Sequence, residues 1–477
     1  MTNLTMLTDL YQLNMMYAYW KSGIADKRVV FDLYFRRPPF GNGYAVCAGL
    51  EQALEAVLSL AFTEDDLAYL KSIHPYEEAF LDELRRFRFT GDIWAIPEGT
   101  VVFPYEPLLR VEARVFEAQL LETALLNLVN HQTLIATKAA RVVEAASGDG
   151  VLEFGLRRAQ GPDAGLYGAR AAYIGGAEAT SNVLAGKRFG IPVRGTHAHA
   201  FVMSFPSELE AFRAFAAAFP NNAVLLVDTY DTLRSGVPNA IRVGQELRAR
   251  GYDLAGIRLD SGDLAYLSKE ARRMLDAAGF TKTRIVASSD LDELLIRDLK
   301  VQGAAIDTWG VGTHLITAKD DPALTGVYKL VAEEENGRLI PRIKVSENPG
   351  KVTIPGKKKV IRFYDRDTGE ALADLIMLHD EPVPTGEPFE IFDPVHPYRR
   401  KTLSNYEARE LLVPVVIGGQ PVYDLPSLDE VRRYSREELS RFSPEVRRLV
   451  NPHEYPVDLS EALWNLRNRL LLEARRR

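Results

Sequence analysis

The sequence predicts an α/β protein whose middle forms an irregular β/α barrel, with α+β segments before and after it. Three observations carry that reading. Short apolar runs, VLEFGL, IPVRGT, AVLLVD, LAGIRL, RIVASS and AAIDTWGVG, alternate with amphipathic helical patterns through the middle of the chain. Such alternation implies parallel strands joined by crossover helices, closed as a barrel or left open and doubly wound. No G-x-G-x-x-G follows the first of these strands, which weakens a dinucleotide-binding sheet and favours the barrel. Outside this stretch, hairpins and short helices replace the alternation.

The elements follow in order. Thr8 caps a helical pattern over 8–20, with Leu10, Leu13 and Tyr17 on one face and Gly23 as the stop. VVFDLYFRR sets Phe31, Leu33 and Phe35 against Asp32, Tyr34 and Arg36, the period of a half-buried strand. PPFGNG turns the chain, YAVCAG returns it as a strand, and TEDDLAYLKSI and EEAFLDELRRF read as short helices. WAIPEGTVVFPYEPLLRVEA gives further short strands, and a long helical pattern over 116–146 marks the change of architecture. Between the later strands lie SELEAFRAFAAAF, LRSGVPNAIRVGQELRARG, DLAYLSKEARRMLDAAG and LDELLIRDLK. Past roughly residue 325 the chain reverts to hairpins. It closes with the helical SLDEVRRYSREEL and DLSEALWNLRNRLLLEARRR, whose terminal ARRR reads as a solvated helix end. With 477 residues and about 150 residues per domain, the expected division is 1–122, 123–345 and 346–477.

Composition narrows the function classes. Hydrophobic residues at 46% and charged residues at 26% exclude a disordered, collagen-like or disulfide-framework chain. Lys and Arg total 58 against 65 Asp and Glu, a formal charge of −7, so a basic stripe for nucleic acid is not expected. A small anionic substrate in a locally positive cleft remains compatible. The single cysteine, Cys47, permits neither an intramolecular disulfide nor a Cys-rich zinc site and fits a reducing cytoplasm. MTNLTMLTDLYQLNMM lacks the pattern of a signal peptide. The most apolar long stretch, 116–146, is interrupted by Glu117, Glu122, Asn127, His131, Lys138 and Arg141. The expectation is a soluble cytoplasmic protein without membrane or nucleic-acid partners.

In parallel β/α folds, reactive groups sit in loops at the C-terminal ends of strands. Here those loops hold Phe154 to Arg158, Arg194 to His199, Asp228-Thr229-Tyr230-Asp231, Arg258-Leu259-Asp260-Ser261-Gly262-Asp263, Ser288-Ser289-Asp290 and Asp307 to His314. An Asp or Ser after a strand also serves as a helix N-cap, and Ser289 and Asp290 fit that reading equally. Asp228 and Asp260 directly follow apolar runs, where an unpartnered carboxylate is costly, and so point to function. Two of the eight histidines, His197 and His199, share one turn. Zinc would need more imidazoles or thiols, and a serine hydrolase would need G-x-S-x-G. The remaining role is general base or nucleophile toward a phosphoryl group. Gly310 and Gly312 permit close approach of backbone N–H groups to an anion. Carboxylates at Asp260 and Asp263 could hold Mg²⁺, with Arg157 and Arg258 nearby, giving a phosphorylated-sugar site. Lys357-Lys358-Lys359 reads either as a phosphate contact or as a solvated loop.

Several strings together resemble the nicotinate phosphoribosyltransferase family: LTDLYQLNMM, IGGAEATSNVLAG, GTHAHAFVMSF, VDTYDT, RLDSGD, WGVGTHL and SENPGKVTIPGKKKV. The match runs in order through to PVHPYRRKTLSNYE. The resemblance implies a type II phosphoribosyltransferase-like barrel, with a second α+β domain formed by the N- and C-terminal segments. It implies formation of nicotinate mononucleotide and pyrophosphate from nicotinate and phosphoribosyl pyrophosphate in NAD biosynthesis, coupled to ATP hydrolysis through a phosphohistidine. His199 is the implied phosphohistidine and Asp228 the acid that orients it or the ribose. Arg258 and Asp260 resemble substrate and Mg²⁺–pyrophosphate contacts, with Thr196 and Thr180 beside them. Gly310, Gly312 and Thr313 resemble the 5′-phosphate cradle. Phe154 and Tyr11 resemble a ring-sandwiching pair drawn from two subunits, which implies a homodimer with shared sites. Arg157 is a candidate for the nicotinate carboxylate or a phosphate. Glu178, by the resemblance a substrate contact, stands where relatives often carry Asp, and the Cys-rich zinc knuckle of some relatives is impossible with one cysteine. The alternatives are a nicotinamide-using enzyme of the same fold and a non-catalytic nucleotide-binding relative.

Overall fold

The computed structural model describes residues 3–386 and 388–474; the last three residues of the terminal ARRR lie outside them. The chain divides into two units, one of Met1–Leu134 with Ala323–Arg477 and the other of Ile135–Pro322.

The second unit is built on six strands: β1 (Gly150–Glu153), β2 (Ala179–Thr180), β3 (Val224–Leu226), β4 (Gly256–Leu259), β5 (Arg284–Ser289) and β6 (Thr308–Val311). They pair in parallel in the order β2-β1-β6-β5-β4-β3, an irregular barrel whose edge strands β2 and β3 form no ladder with each other. The expected strand IPVRGT supplies only the single bridge Thr180–Val193; Pro192 lacks the N–H that a ladder needs. Ile257, Leu259, Ile285, Ala287, Trp309 and Val311 are fully buried, as parallel strands covered on both faces require. Asp263 caps helix Leu264–Ala277. Asp292, rather than Ser289 or Asp290, caps Glu293–Val301. LRSGVPNAIRVGQELRARG is not one helix: Thr232–Gly236 forms a π turn capped by Asp231, and the α-helix begins at Val237, where Pro238 fits the first turn. Gly236 leaves no room for a side chain, since a Cβ would stand 1.8 Å from the Val227 carbonyl oxygen.

In the first unit, strand Arg28–Phe35 lies between Gly326–Glu335 and Leu109–Arg114 in a seven-stranded antiparallel sheet. This pairing draws the chain after Ala323 in with the N-terminal segment. The strand is buried on both faces rather than half-buried. The reason is charge pairing: Asp32, fully buried, meets Lys358 Nζ at 2.7 Å. The lysine run therefore serves neither expected purpose. Lys357 donates to Glu112 at 2.9 Å, Lys358 pairs with Asp32, and Lys359 donates to the Glu381 carbonyl at 2.6 Å.

A second, four-stranded sheet holds Lys358–Asp365 and Ala371–Leu378. Its centre is Arg362, fully buried, donating to both Asp374 oxygens at 2.8 and 2.6 Å and to the Val101 carbonyl at 2.8 Å. Glu438 approaches the same guanidinium at 3.5 Å, and the Tyr455 hydroxyl donates to Asp374 at 3.1 Å. Among the described residues no helix is long and apolar enough to cross a membrane. Arg362→Met would leave the buried carboxylates without their cation, a loss of about 3–5 kcal/mol. Urea denaturation is expected to show a clearly lower midpoint; an unchanged midpoint would contradict this account.

Candidate active site

The polar strand ends of the parallel sheet converge on Arg258. It lies in β4 with its guanidinium in contact with two loops and the end of β5. Nε donates to Ser288 Oγ at 2.7 Å, Nη1 to Thr196 Oγ1 at 3.2 Å and Nη2 to Asp260 Oδ1 at 3.0 Å. Ser288 Oγ also donates to Asp260 Oδ1. Burial alone would raise the Asp260 carboxyl, but the Ser288 and Arg258 hydrogen bonds and the Arg258 charge hold it below its ordinary value, so it stays ionised.

Asp228 follows β3 and its side chain is 2% exposed. Its Oδ2 accepts from the Asp260 N–H at 2.9 Å and the Ser261 hydroxyl at 2.6 Å. Its Oδ1 has no hydrogen-bond partner. His199, the first residue of the short helix His199–Met203, lies against this pair. Its Nδ1 is 3.1 Å from Thr229 Oγ1, and its Nε2 is 3.9 Å from Asp228 Oδ1 and 3.8 Å from Asp260 Oδ2. Thus Thr196, His199, Asp228, Arg258 and Asp260, expected from sequence, form one cluster. Ser288 and Thr229 complete it. Both were visible as strand-end residues, yet a lone hydroxyl carried no signal until its neighbour across the sheet was known.

The unpartnered Asp228 oxygen beside Asp260 suits a hard divalent cation that takes one or two carboxylates and draws its other ligands from substrate phosphates. No group of three or more His, Cys, Asp or Glu that could hold a metal occurs among the described residues. Asp263 turns away to cap its helix, accepting from the Tyr266 N–H at 3.0 Å.

Other expected residues fall elsewhere. Gly310 lies within β6, its bare face against the Phe154 ring: a Cβ there would stand 2.7 Å from Cδ2. It makes room for an aromatic ring. Gly312 and Thr313 form the turn into the short helix Thr313–Ile316, with Gly312 packed beside the Phe154 carbonyl. Thr180 is buried, its hydroxyl donating to Glu153 and accepting from the Asn182 N–H. Arg157 sits in the exposed turn Leu156–Arg158. Glu178 does not join the cluster. It is exposed, and its carboxylate lies beside Gly150 and Thr308, at the starts of β1 and β6 rather than their catalytic ends. Tyr11 belongs to the first unit, on helix Leu10–Lys21, and is 48% exposed.

Family models match at residues 6–130, as the nicotinate phosphoribosyltransferase N-terminal domain, and at 357–467, as its C-terminal domain. A nicotinate phosphoribosyltransferase of Bacillus subtilis is 52% identical over 475 residues, covering 100% of this chain and 96% of its own. The chain belongs to the nicotinate phosphoribosyltransferase family. The human family member is 38% identical over 523 residues, covering 98% of this chain and 96% of its own. The crystal structure of human nicotinic acid phosphoribosyltransferase superposes with a TM-score of 0.86, at 36% identity, over 97% of this chain and 99% of that one. Family membership accounts for the irregular barrel and makes the chain an enzyme.

His197 is a framework residue. It is 8% exposed, its Nε2 accepts from the Leu226 N–H at 3.2 Å, and the Phe215 and Phe201 rings lie 4.7 and 5.2 Å away. Burial, with Arg258 and His199 nearby, depresses its pKa and keeps it neutral. Below about pH 6.5 the unfolded chain therefore binds the extra proton first, and stability falls as pH drops from there toward the folded value. His197→Asn keeps an acceptor without titrating. Its melting temperature should fall less between pH 7.5 and 5.5 than that of wild type; equal falls would remove His197 from this role.

Proposed function

We propose that this chain joins the ring nitrogen of nicotinate to C1 of phosphoribosyl pyrophosphate, forming nicotinate mononucleotide and releasing pyrophosphate, with ATP hydrolysis coupled through phospho-His199. The product feeds NAD formation, and the reducing cytoplasm fits the single buried Cys47. The observation that carries this reading is the placement of His199 between the Thr229 hydroxyl and the Asp228–Asp260 carboxylates.

The chemistry follows from those distances. Two carboxylates facing Nε2 favour a proton there, which leaves the Nδ1 lone pair to attack the γ-phosphorus of ATP, the N–P bond forming as the bond to the bridging oxygen breaks and ADP leaves. Thr229, hydrogen-bonded to Nδ1, can turn its hydroxyl proton to the arriving phosphoryl oxygens. In glycosyl transfer, C1 gains positive charge as the pyrophosphate departs, and the carboxylates of Asp228 and Asp260 offset that charge. Arg258 spends three donors on Thr196, Ser288 and Asp260. Its remaining N–H groups can meet a phosphate oxygen from a fixed position. Asp260 and Asp228 would hold Mg²⁺, which when bound neutralises the leaving pyrophosphate.

Phe154, set against Gly310, offers one face for the pyridine ring. The exposed Tyr11 supplies the other to a partner copy in a homodimer with shared sites. Gly312 and Thr313 are retained as the turn that meets the 5′-phosphate, and Arg157 as the exposed cation for the nicotinate carboxylate.

His199→Ala should abolish ATPase activity and the stimulation of nicotinate mononucleotide formation by ATP, while a slow ATP-independent transfer survives. Unchanged stimulation would refute the role of His199. Nicotinate should be turned over in preference to nicotinamide, and equal turnover of both would refute the substrate assignment.

A further inference from the structure

Resting on the reading just given, we propose that Glu153 is a positioning residue for the pyridine ring: its buried carboxylate ties the Phe154–Gly155 turn to Thr180 and to the root of the loop carrying His199. Glu153 ends β1 and is 1% exposed. One carboxylate oxygen accepts from the Gly155 N–H, and the other accepts from Thr180 Oγ1 at 2.6 Å. Its main-chain oxygen accepts from the Ser181 N–H at 2.9 Å. Thr180 continues the link: its carbonyl accepts from the Arg194 N–H and its N–H donates to the Pro192 carbonyl, both at 3.0 Å. Arg194 opens the segment that supplies Thr196 and His199.

A carboxylate so deeply buried is costly unless both oxygens are used, and here both are. The turn it holds is also packed closely on Ile316, where a Cβ on Gly155 would stand 2.4 Å from the isoleucine Cβ. Phe154 is therefore fixed by Glu153 through the backbone and by Gly310 against its ring. Removing the carboxylate frees the Gly155 N–H and the Thr180 hydroxyl together, so the ring platform loses its height before the histidine cluster loses its geometry. None of the Arg258, Asp260, Asp228 or His199 contacts passes through Glu153.

The test is steady-state kinetics of full-length wild type, Glu153→Ala, Glu153→Gln and Thr180→Val, varying nicotinate and phosphoribosyl pyrophosphate separately. Labelling of His199 from γ-labelled ATP is measured alongside. Glu153→Ala should raise KM for nicotinate about tenfold, the scale of a lost buried acceptor. Histidine labelling and KM for phosphoribosyl pyrophosphate should stay near wild type. Glu153→Gln should recover most of the loss, since its amide can accept from Gly155 and donate to Thr180. Thr180→Val should shift nicotinate KM in the same direction by less. Should Glu153→Ala not fold, Glu153→Gln and Thr180→Val alone decide the matter. Wild-type KM for nicotinate in the folded variants, or a loss confined to kcat or shared equally by both substrates, overturns the proposal. Wild type that fails to turn over nicotinate overturns the underlying reading instead.

Discussion

Everything at the catalytic end of the parallel sheet depends on where the Arg258 guanidinium is held. Its donors reach the loop after β4, the end of β5 and the loop at Thr196, so it fixes the spacing of Asp260 from Ser288 and of both from the histidine segment. Asp260 in turn presents its N–H to Asp228, and Asp228 and Asp260 together face His199. A planar, permanently charged fork suits this bridging role better than an ammonium would, because its hydrogen-bond directions are set by the group itself. One side chain thus converts separate strand ends into a single electrostatic environment around an imidazole.

The other unit uses buried charge for a different end. Asp32 with Lys358 joins the two antiparallel sheets of this unit, and Arg362 joins Asp374 on the neighbouring strand to Glu438 on helix Leu428–Ser440, all in low-dielectric surroundings. Such pairs add little net stability compared with apolar packing, but any register that breaks them is heavily disfavoured. The first pair therefore specifies how the two sheets meet, and the second the register of its hairpin.

Much of this was legible in the sequence, and the misses share a cause. Alternation of apolar runs and helical patterns reveals parallel strands because period and length are local properties. The polar residues after those runs reveal the site because strand ends are local too. Asp32 was read as solvent-facing since its partner, Lys358, comes from the far end of the chain, and no periodicity reports that. Glu178 was placed with the substrate on the strength of a motif, although it precedes β2 and so lies at the opening of the strands. Gly310 was read as an anion cradle, whereas a glycine within a strand here marks the close approach of a ring. Ser288 needed the register of β5 against β4, in which Val286 stands beside Arg258. Register between neighbouring strands is the information a one-dimensional pattern lacks.

The π turn Thr232–Gly236 has an implication for how this protein can drift over generations. Gly236 N–H reaches back to the Asp231 carbonyl at 2.9 Å, and the Cα of Gly236 is wedged under the carbonyl of Val227, immediately before Asp228. Surface positions on the same loop, Tyr230 and Arg234, stand 64% and 92% out in water and face no such steric limit. Any methyl group at 236 would instead lift the backbone beneath Asp228. Diversity in this segment is thus channelled to its outer rim, while a single hydrogen atom on its inner side is kept by steric necessity.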